Sequence, residues 1–149
     1  VCHVDGSKVA IGWGRDNAKI SGLAEKPIRW ILDDAAAFVR REIKRGKKYN
    51  GIVLDPPAFG HGPTGEMWKI EDDFIPLIDS CSQILSDKPL FFLINGYASG
   101  YSALAYRNNL YALEQKYGGT SEVGELTIAE EKSGRMLPCG IFARWSSEG

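Results

Sequence analysis

Short apolar segments that alternate with longer amphipathic ones constrain the fold of this chain more than any other feature. Four apolar segments have the length of buried strands, namely residues 1–4, 28–32, 51–54 and 90–94. Four segments between and after them have helical lengths, namely 8–21, 35–45, 71–85 and 102–117. Because strands that alternate with helices form a parallel sheet covered on both faces, the sequence predicts an α/β fold.

The end of the chain follows a different pattern. Two more strand-like segments, 122–130 and 137–145, are joined by turn residues at 132–135, which is typical of a β-hairpin. A hairpin after a parallel sheet adds an antiparallel strand at its edge. We therefore predict a mostly parallel sheet with an antiparallel C-terminal hairpin strand, within a single domain over residues 1–149.

Two helices carry features that predict how they pack. In the first helix, Val9, Trp13 and Ile20 form an apolar stripe, with Ala10 and Ala18 beside it, that we expect to face the sheet. Pro76 lies inside the third helical segment, and proline lacks an N–H and clashes with the preceding turn. We therefore expect that helix to start late or to bend at Pro76.

Composition excludes several classes of protein. The formal net charge is −1, so contact with nucleic acid would need a local patch. Residues 40–48 carry six basic side chains, which could contact phosphates or simply lie in solvent at a helix end. No apolar run approaches the roughly 20 residues of a membrane-spanning helix. The three cysteines have neither disulfide nor metal-ligand spacing, so we expect no metal and a reducing cytoplasm.

Acidic residues follow three of the predicted strands. These are Asp5, the pair Asp33 and Asp34, and Asp55. Each could be no more than the N-cap of the next helix or the start of a turn. Ligands bind at the carboxyl ends of strands in open α/β sheets, and three successive acids place carboxylates along that rim. The set predicts a ligand site better than any one of them does.

The third acid begins the motif Asp55-Pro56-Pro57-Ala58-Phe59. Prolines remove two backbone donors, so carbonyl oxygens stay free to accept hydrogen bonds. Phe59 offers a face on which a flat ring can stack. A nucleobase amino group needs such acceptors, although the motif could also be only a proline-rich turn. The following loop, 56–69, could be a mobile flap or a plain connection, and His61 within it a base or a bystander.

The ordered set of motifs resembles the class I S-adenosylmethionine-dependent methyltransferases. More narrowly, it is similar to the bacterial large-subunit ribosomal RNA methyltransferases that act on cytosine C5 and guanine N7. The stretches that carry the resemblance are Val4–Lys8, Trp13–Ala18, Ser21–Leu23, Asp33–Val39, Leu54–Phe59 and Leu137–Trp145. The resemblance implies a Rossmann-like sheet, S-adenosylmethionine as cofactor, a nucleoside site at the strand ends, and an RNA partner.

The resemblance also implies roles for individual residues. Asp5 would bind the cofactor ribose, with Ser7 beside it in the same motif. Asp34 and the backbone of Ala35 would face the adenine. The transfer site would be lined by Asp55, which also borders the cofactor, and by Pro56 and Pro57. Phe59 would hold or stack the target base.

Two departures from the family limit what the chain does. The family's first strand and the glycine-rich loop after it are missing, and Gly12 and Gly14 lie inside a predicted helix. The strand is central in the family sheet, so its absence would leave a hole between neighbours. We expect the chain to be an N-terminally truncated piece, the C-terminal part of one catalytic domain, that binds the cofactor weakly or not at all by itself.

The second departure concerns chemistry. Cytosine-C5 transfer needs a thiolate nucleophile, yet the segment Asn95–Ser99 after the fourth strand has no cysteine. Cys81 lies on the preceding helix at a spacing that suits core packing. We therefore expect direct, non-covalent transfer to a base, which needs mainly orientation. A methyltransferase for a small molecule or a protein, or a non-catalytic binding module, remains the alternative.

Overall fold

The computed structural model describes residues 1–97 and 100–147, so Ala98 and Ser99 of the segment Asn95–Ser99 lie outside the described residues. The elements in chain order are β1 (Cys2–Asp5), α1 (Lys8–Ile20), β2 (Arg29–Leu32), α2 (Ala35–Lys44), β3 (Gly51–Leu54), β4 (Phe59–His61), β5 (Met67–Lys69), α3 (Ile70–Gln83), β6 (Phe91–Gly96), α4 (Ala103–Tyr117), β7 (Thr120–Ala129) and β8 (Met136–Ser146). The predicted alternation of strands and helices is confirmed.

The main sheet has the strand order β3-β6-β8-β7, and β1 and β2 form a second, parallel pair. β3 and β6 are parallel, whereas β8 runs antiparallel to both of its neighbours. The mixed α/β sheet with an antiparallel hairpin strand is therefore confirmed. The antiparallel strand lies one place in from the edge, because β8 inserts between β6 and β7.

A gap separates the β1–β2 pair from β3, the edge strand of the main sheet. Within the described part of the chain, no ladder joins β1 to β3, although side chains of both strands border one cavity of about 170 Å³. Its walls are mainly apolar and include Val4, Ile52 and Leu54, with Phe38 and Leu77 from the helices. This gap lies where the resemblance to methyltransferases implies a further strand.

The core lies between the main sheet and helices α3 and α4. Phe92 pairs with Trp145 and Ile94 with Ala143 in the β6–β8 ladder, and all four are fully buried. Residues of one row share a face of the sheet, so this face is the buried one. The Trp145 indole Nε1–H donates to the backbone oxygen of Gly118 at 2.8 Å, which satisfies the polar atom of the ring.

The predicted stripe of α1 does not face the sheet. Val9, Trp13 and Ile20 are exposed, and the buried residues of this helix are Ile11 and Ala18. Small residues on the opposite side let the helix approach the strands closely. At Gly14, for example, an added Cβ would lie only 2.8 Å from the Trp30 ring. The expectation was wrong because an apolar stripe does not by itself determine which side of a helix packs against the sheet.

Two features around α3 also differ from expectation. The predicted loop 56–69 contains a short antiparallel hairpin formed by β4 and β5. α3 begins at Ile70, so the expected late start at Pro76 is wrong. Three acids in the first turn favour the positive end of the helix dipole, and Asp73 accepts a hydrogen bond from the Lys69 N–H at 2.8 Å. These contacts stabilise the first turn despite the proline.

A buried carboxylate connects α2 to the segment before β3. Glu42 is 1% exposed, and it accepts hydrogen bonds from the Tyr49 hydroxyl at 2.6 Å and from Arg45 Nη1 at 3.1 Å. The Tyr49 bond, together with Arg45, lowers the pKa of Glu42 against the opposing effect of burial. Both donors satisfy a charge that would otherwise be costly to bury.

This network predicts a pH-dependent loss of stability. Because the pKa of Glu42 is lowered on folding, its contribution is present above the unfolded value near 4.3 and is lost as pH falls through the folded pKa. Tyr49→Phe removes a charge-assisted bond and brings the folded-state pKa of Glu42 closer to its unfolded value, so we expect about 1.5–3 kcal/mol less stability at pH 7 and a smaller further loss on acidification. Urea unfolding at stepped pH tests this. Tyr111→Phe, at an exposed tyrosine, should change neither quantity.

Candidate active site

A cavity of about 470 Å³ lies at the carboxyl ends of β1 and β3. Nearly all of the predicted site residues border it, namely Asp5, Ser7, Asp34, Ala35, Asp55, Pro56 and Pro57. The volume is in the range of small-molecule sites in proteins. The structure thus brings together acids that stand up to 50 residues apart in the sequence, because parallel strands place their carboxyl ends at one edge of the fold.

Asp5 is the last residue of β1, and the start of α1 holds it in place. Its Oδ1 accepts a hydrogen bond from the Ser7 backbone N–H at 2.6 Å. Ser7 is the N-cap of α1, and its hydroxyl accepts from the Ala10 N–H at 3.3 Å. One carboxylate oxygen of Asp5 is therefore committed to orientation, and the other is available to accept from a ligand that enters the cavity.

The two adjacent acids after β2 have different roles. Asp34 caps α2 by accepting from the Ala37 N–H at 2.7 Å through Oδ1, and it borders the cavity. Asp33 instead forms an ion pair with Arg41. Capping and ligand binding are compatible here because a carboxylate has two oxygens. The N-cap interpretation is confirmed for Asp34, and its second oxygen stays available to a ligand.

Asp55 presents an uncommitted carboxylate. Within the described ranges, its side chain has no hydrogen-bond partner, and partial burial raises its pKa. Pro56 behind it is buried, whereas the carbonyl oxygen of Pro57 accepts a hydrogen bond from the Trp68 indole at 2.7 Å. The Pro57 carbonyl, which the sequence left free to accept, is therefore used to hold the β4–β5 hairpin.

The β4–β5 hairpin closes one side of the cavity. Gly60, His61 and Trp68 belong to the lining; of these, the sequence analysis considered only His61, as a base or a bystander. Phe59 lies outside the lining, is 54% exposed, and stacks edge-on against His61 with ring centroids 5.1 Å apart. The Trp68–Pro57 bond anchors this hairpin at the motif itself. The only sequence signal for this arrangement is an aromatic residue close to the prolines.

The basic run at 40–48 lies away from this cavity. The N-cap of α2, Asp34, lies on the rim, and the helix runs for ten residues from Ala35, so its C-terminal end lies about 15 Å from the rim. Several of the bases are already engaged within the protein. Arg41 pairs with Asp33, Arg45 with Glu42, and Lys48 donates to the Gln83 backbone oxygen at 2.7 Å. These contacts favour the structural interpretation over phosphate binding.

Cys81 is 2% exposed, and burial raises the pKa of its thiol to about 12, so it is a core residue. In residues 1–97 and 100–147, no group of three or more His, Cys, Asp or Glu side chains is placed to hold a metal ion. Of the helices described, none is both long and apolar enough to span a bilayer.

By fold and by sequence, the chain is similar to the S-adenosylmethionine-dependent methyltransferases, as the motifs predicted. A solved S-adenosylmethionine-dependent methyltransferase from Agrobacterium tumefaciens superimposes with a TM-score of 0.91 and 38% identity, over 99% of this chain. Ribosomal RNA large subunit methyltransferase I of Aeromonas salmonicida is 37% identical over 59 residues. Ribosomal RNA large subunit methyltransferase K/L of Shewanella baltica is 29% identical over 87 residues.

The matches cover these relatives only in part. The chain spans 49% of the Agrobacterium tumefaciens protein. The match to the Aeromonas salmonicida protein covers 40% of this chain and 15% of that protein. The match to the Shewanella baltica protein covers 58% of this chain and 12% of that protein. A scan against models of known protein families finds no match.

Proposed function

We propose that this chain takes part in methyl transfer from S-adenosylmethionine to a base of ribosomal RNA. The observation that carries the proposal is that acids from three successive strand ends border one cavity. The third of these acids begins the Asp-Pro-Pro motif. Relatives named as ribosomal RNA methyltransferases support the RNA substrate. The free cysteines Cys2, Cys81 and Cys139 support a reducing location such as the cytoplasm.

The cavity fits the nucleoside part of the cofactor. The uncommitted oxygen of Asp5 would accept from the ribose hydroxyls, beside Ser7. The uncommitted oxygen of Asp34 and the backbone of Ala35 would face the adenine. The bound cofactor would supply an activated methyl group. The protein would supply orientation, because the capping bonds to Ser7 and Ala37 already fix the two carboxylates.

The acceptor side of the site consists of Asp55 and the two prolines. A carboxylate without a protein partner can accept a hydrogen bond from a base amino group and orient its nitrogen for in-line transfer. A covalent adduct through Cys81 is disfavoured because that thiol is buried and protonated. Phe59, exposed at the start of the β4–β5 hairpin, would stack the target base from outside the cavity.

We further propose that the chain forms the C-terminal part of a single catalytic domain. The gap between β1 and β3 supports this, since both strands border it and neither pairs across it in the described part of the chain. A parallel strand in the gap would pair with both edges and make one continuous sheet. Such a strand would also support the methionine end of the cofactor, for which the described chain offers no glycine-rich loop.

A chimera tests the proposed function. This chain is joined to the part of the Agrobacterium tumefaciens methyltransferase that it does not cover, which their common fold makes feasible. We expect the chimera to bind S-adenosylmethionine in the micromolar range and to transfer labelled methyl groups to bulk RNA. Binding to the isolated chain should be much weaker. Asp5→Ala in the chimera should abolish tight binding.

Each contrary result points to a different error. Micromolar binding by the isolated chain would contradict the proposed division of the domain. If the label appears in protein or metabolite pools and RNA stays unlabelled, the RNA substrate is wrong. The enzyme would then be a methyltransferase for a protein or a small molecule. A folded chimera that binds the cofactor and labels none of the three pools would indicate a binding module.

A further inference from the structure

Asn95 carries a side-chain amide that the protein itself does not use. The residue is half-buried in β6, and within residues 1–97 and 100–147 its amide has no hydrogen-bond partner. The amide is also not sealed in the core, because its atoms are not among the buried unpaired groups. An asparagine amide offers two N–H donors and one acceptor, so this group is available to a ligand.

Asn95 lies beside Asp55, across the ends of two neighbouring strands. β3 and β6 are parallel, and the last residue of β3 lies opposite Ile94. The two strands stay adjacent two residues further on, since a Cβ added at Gly96 would lie 3.6 Å from the carbonyl oxygen of Pro56. Asp55 and Asn95 are the residues between these two contacts. They are therefore neighbours at the strand spacing of about 4.8 Å.

Both side chains point away from the core. The residues on either side of Asn95 in β6 are buried, and alternate residues of a strand point to opposite faces. At the end of β3, Asp55 is exposed whereas Pro56 is buried. Phe142 is the ladder partner of Asn95, but its ring leans toward β7, where a Cβ added at Gly124 would lie only 2.7 Å from it. A carboxylate and an amide thus share one open face.

The two groups are complementary to one edge of a nucleobase. An ionised carboxylate only accepts hydrogen bonds, whereas the amide N–H of asparagine donates. Adenine, cytosine and guanine each carry an exocyclic amino group beside an unprotonated ring nitrogen, which is a donor next to an acceptor. Uracil carries no amino group, so it does not present this pair. A base with an amino group can donate to Asp55 and accept from Asn95 at the same time.

We propose that Asn95 is a specificity-determining residue that selects an amino-bearing target base over uracil. Its amide N–H donates to the ring nitrogen while Asp55 accepts from the adjacent amino group. The two contacts fix the plane of the base, so the amino nitrogen is aimed in one direction. Asn95 lies outside the described lining of the cavity proposed for the cofactor, so it acts on the target base. This inference rests on the proposed function, in which Asp55 holds the acceptor amino group.

Nitrogen-15 spectra of the isolated chain test this recognition without methyl transfer. The 5′-monophosphates of adenosine, cytidine, guanosine and uridine are added in turn at millimolar concentration, and the side-chain amide signal of Asn95 is followed. We expect at least one of the three amino-bearing nucleotides to move this signal, while uridine monophosphate leaves it in place. The nucleotide that moves it furthest identifies the base. The amide of Asn108 is the control, because it is exposed on α4, on the other side of the main sheet, and should not move.

Asn95→Asp tests the same contact in the chimera. The two side chains have the same shape, but the carboxylate replaces the N–H donor by an acceptor, which repels the ring nitrogen. We expect kcat/KM for RNA to fall about 10- to 100-fold, while the Kd for S-adenosylmethionine stays unchanged. Asn108→Asp is the matched control and should change neither quantity. Hydrolysis of the labelled RNA to nucleosides should place the methyl group on the base that the titration identifies.

The contrary results separate this inference from the proposed function. An Asn95 signal that uridine monophosphate moves as far as the others, or that none of the four nucleotides moves, would overturn the inference. So would an unchanged kcat/KM in Asn95→Asp, or methyl label on uridine, although methyl transfer to RNA would then still stand. A chimera that labels no RNA would instead contradict the proposed function, and the titration would still decide whether Asn95 recognises an amino-bearing base.

Discussion

Replacing Asp55 with asparagine is expected to slow methyl transfer by the chimera about 10- to 100-fold while leaving cofactor binding nearly unchanged. The amide keeps the shape of the carboxylate but loses the charge that strengthens a hydrogen bond to the acceptor amino group. Such a bond contributes about 1.5–3 kcal/mol, which corresponds to this range of rates. Single-turnover rates with labelled S-adenosylmethionine measure the effect.

The same carboxylate should produce an acid limb in the rate profile. Burial raises the pKa of Asp55, so the active, ionised form is lost at a higher pH than for an ordinary aspartate. Asp55→Asn should remove this limb as well as lower the plateau. Asp16→Asn, at an exposed position on α1, is the control and should change neither. A normal rate in Asp55→Asn would exclude Asp55 from the transfer step.

Replacing Trp145 with alanine is expected to lower the free energy of unfolding by about 3–5 kcal/mol. Trp145 is fully buried between the main sheet and α4, and its indole satisfies the backbone oxygen of Gly118. The substitution leaves a cavity and removes that hydrogen bond at the same time. Urea unfolding monitored by far-ultraviolet circular dichroism measures the loss in the isolated chain.

Trp13 offers a matched control for this prediction. It is 67% exposed on α1, and Trp13→Ala should change the free energy of unfolding by no more than about 0.5 kcal/mol. The same substitution at two tryptophans thus separates the effect of burial on stability from the effect of the residue type. Equal losses at the two positions would show that the exposed face of α1 is covered in solution, contrary to the structure.

The strands and helices were largely predictable because their signals are local. A short apolar run, a capping serine or aspartate, and a following glycine are read within a few residues. The β4–β5 hairpin escaped prediction because each of its strands has only three residues and no clear alternation. The packing of α1 escaped because a helical stripe does not specify which neighbour covers it, and small residues such as Gly14 made the actual contact.

Within the candidate site, the sequence by itself determined which residues stand at the strand ends: Asp5, Asp34, Asp55 and the two prolines. Only the tertiary structure decided how each is used. It directs Asp33 to Arg41 and leaves Asp34 at the cavity, and it commits the Pro57 carbonyl to Trp68. It also places Phe59 outside the lining. These outcomes depend on side-chain directions and on contacts between residues far apart in the chain, which no local pattern encodes.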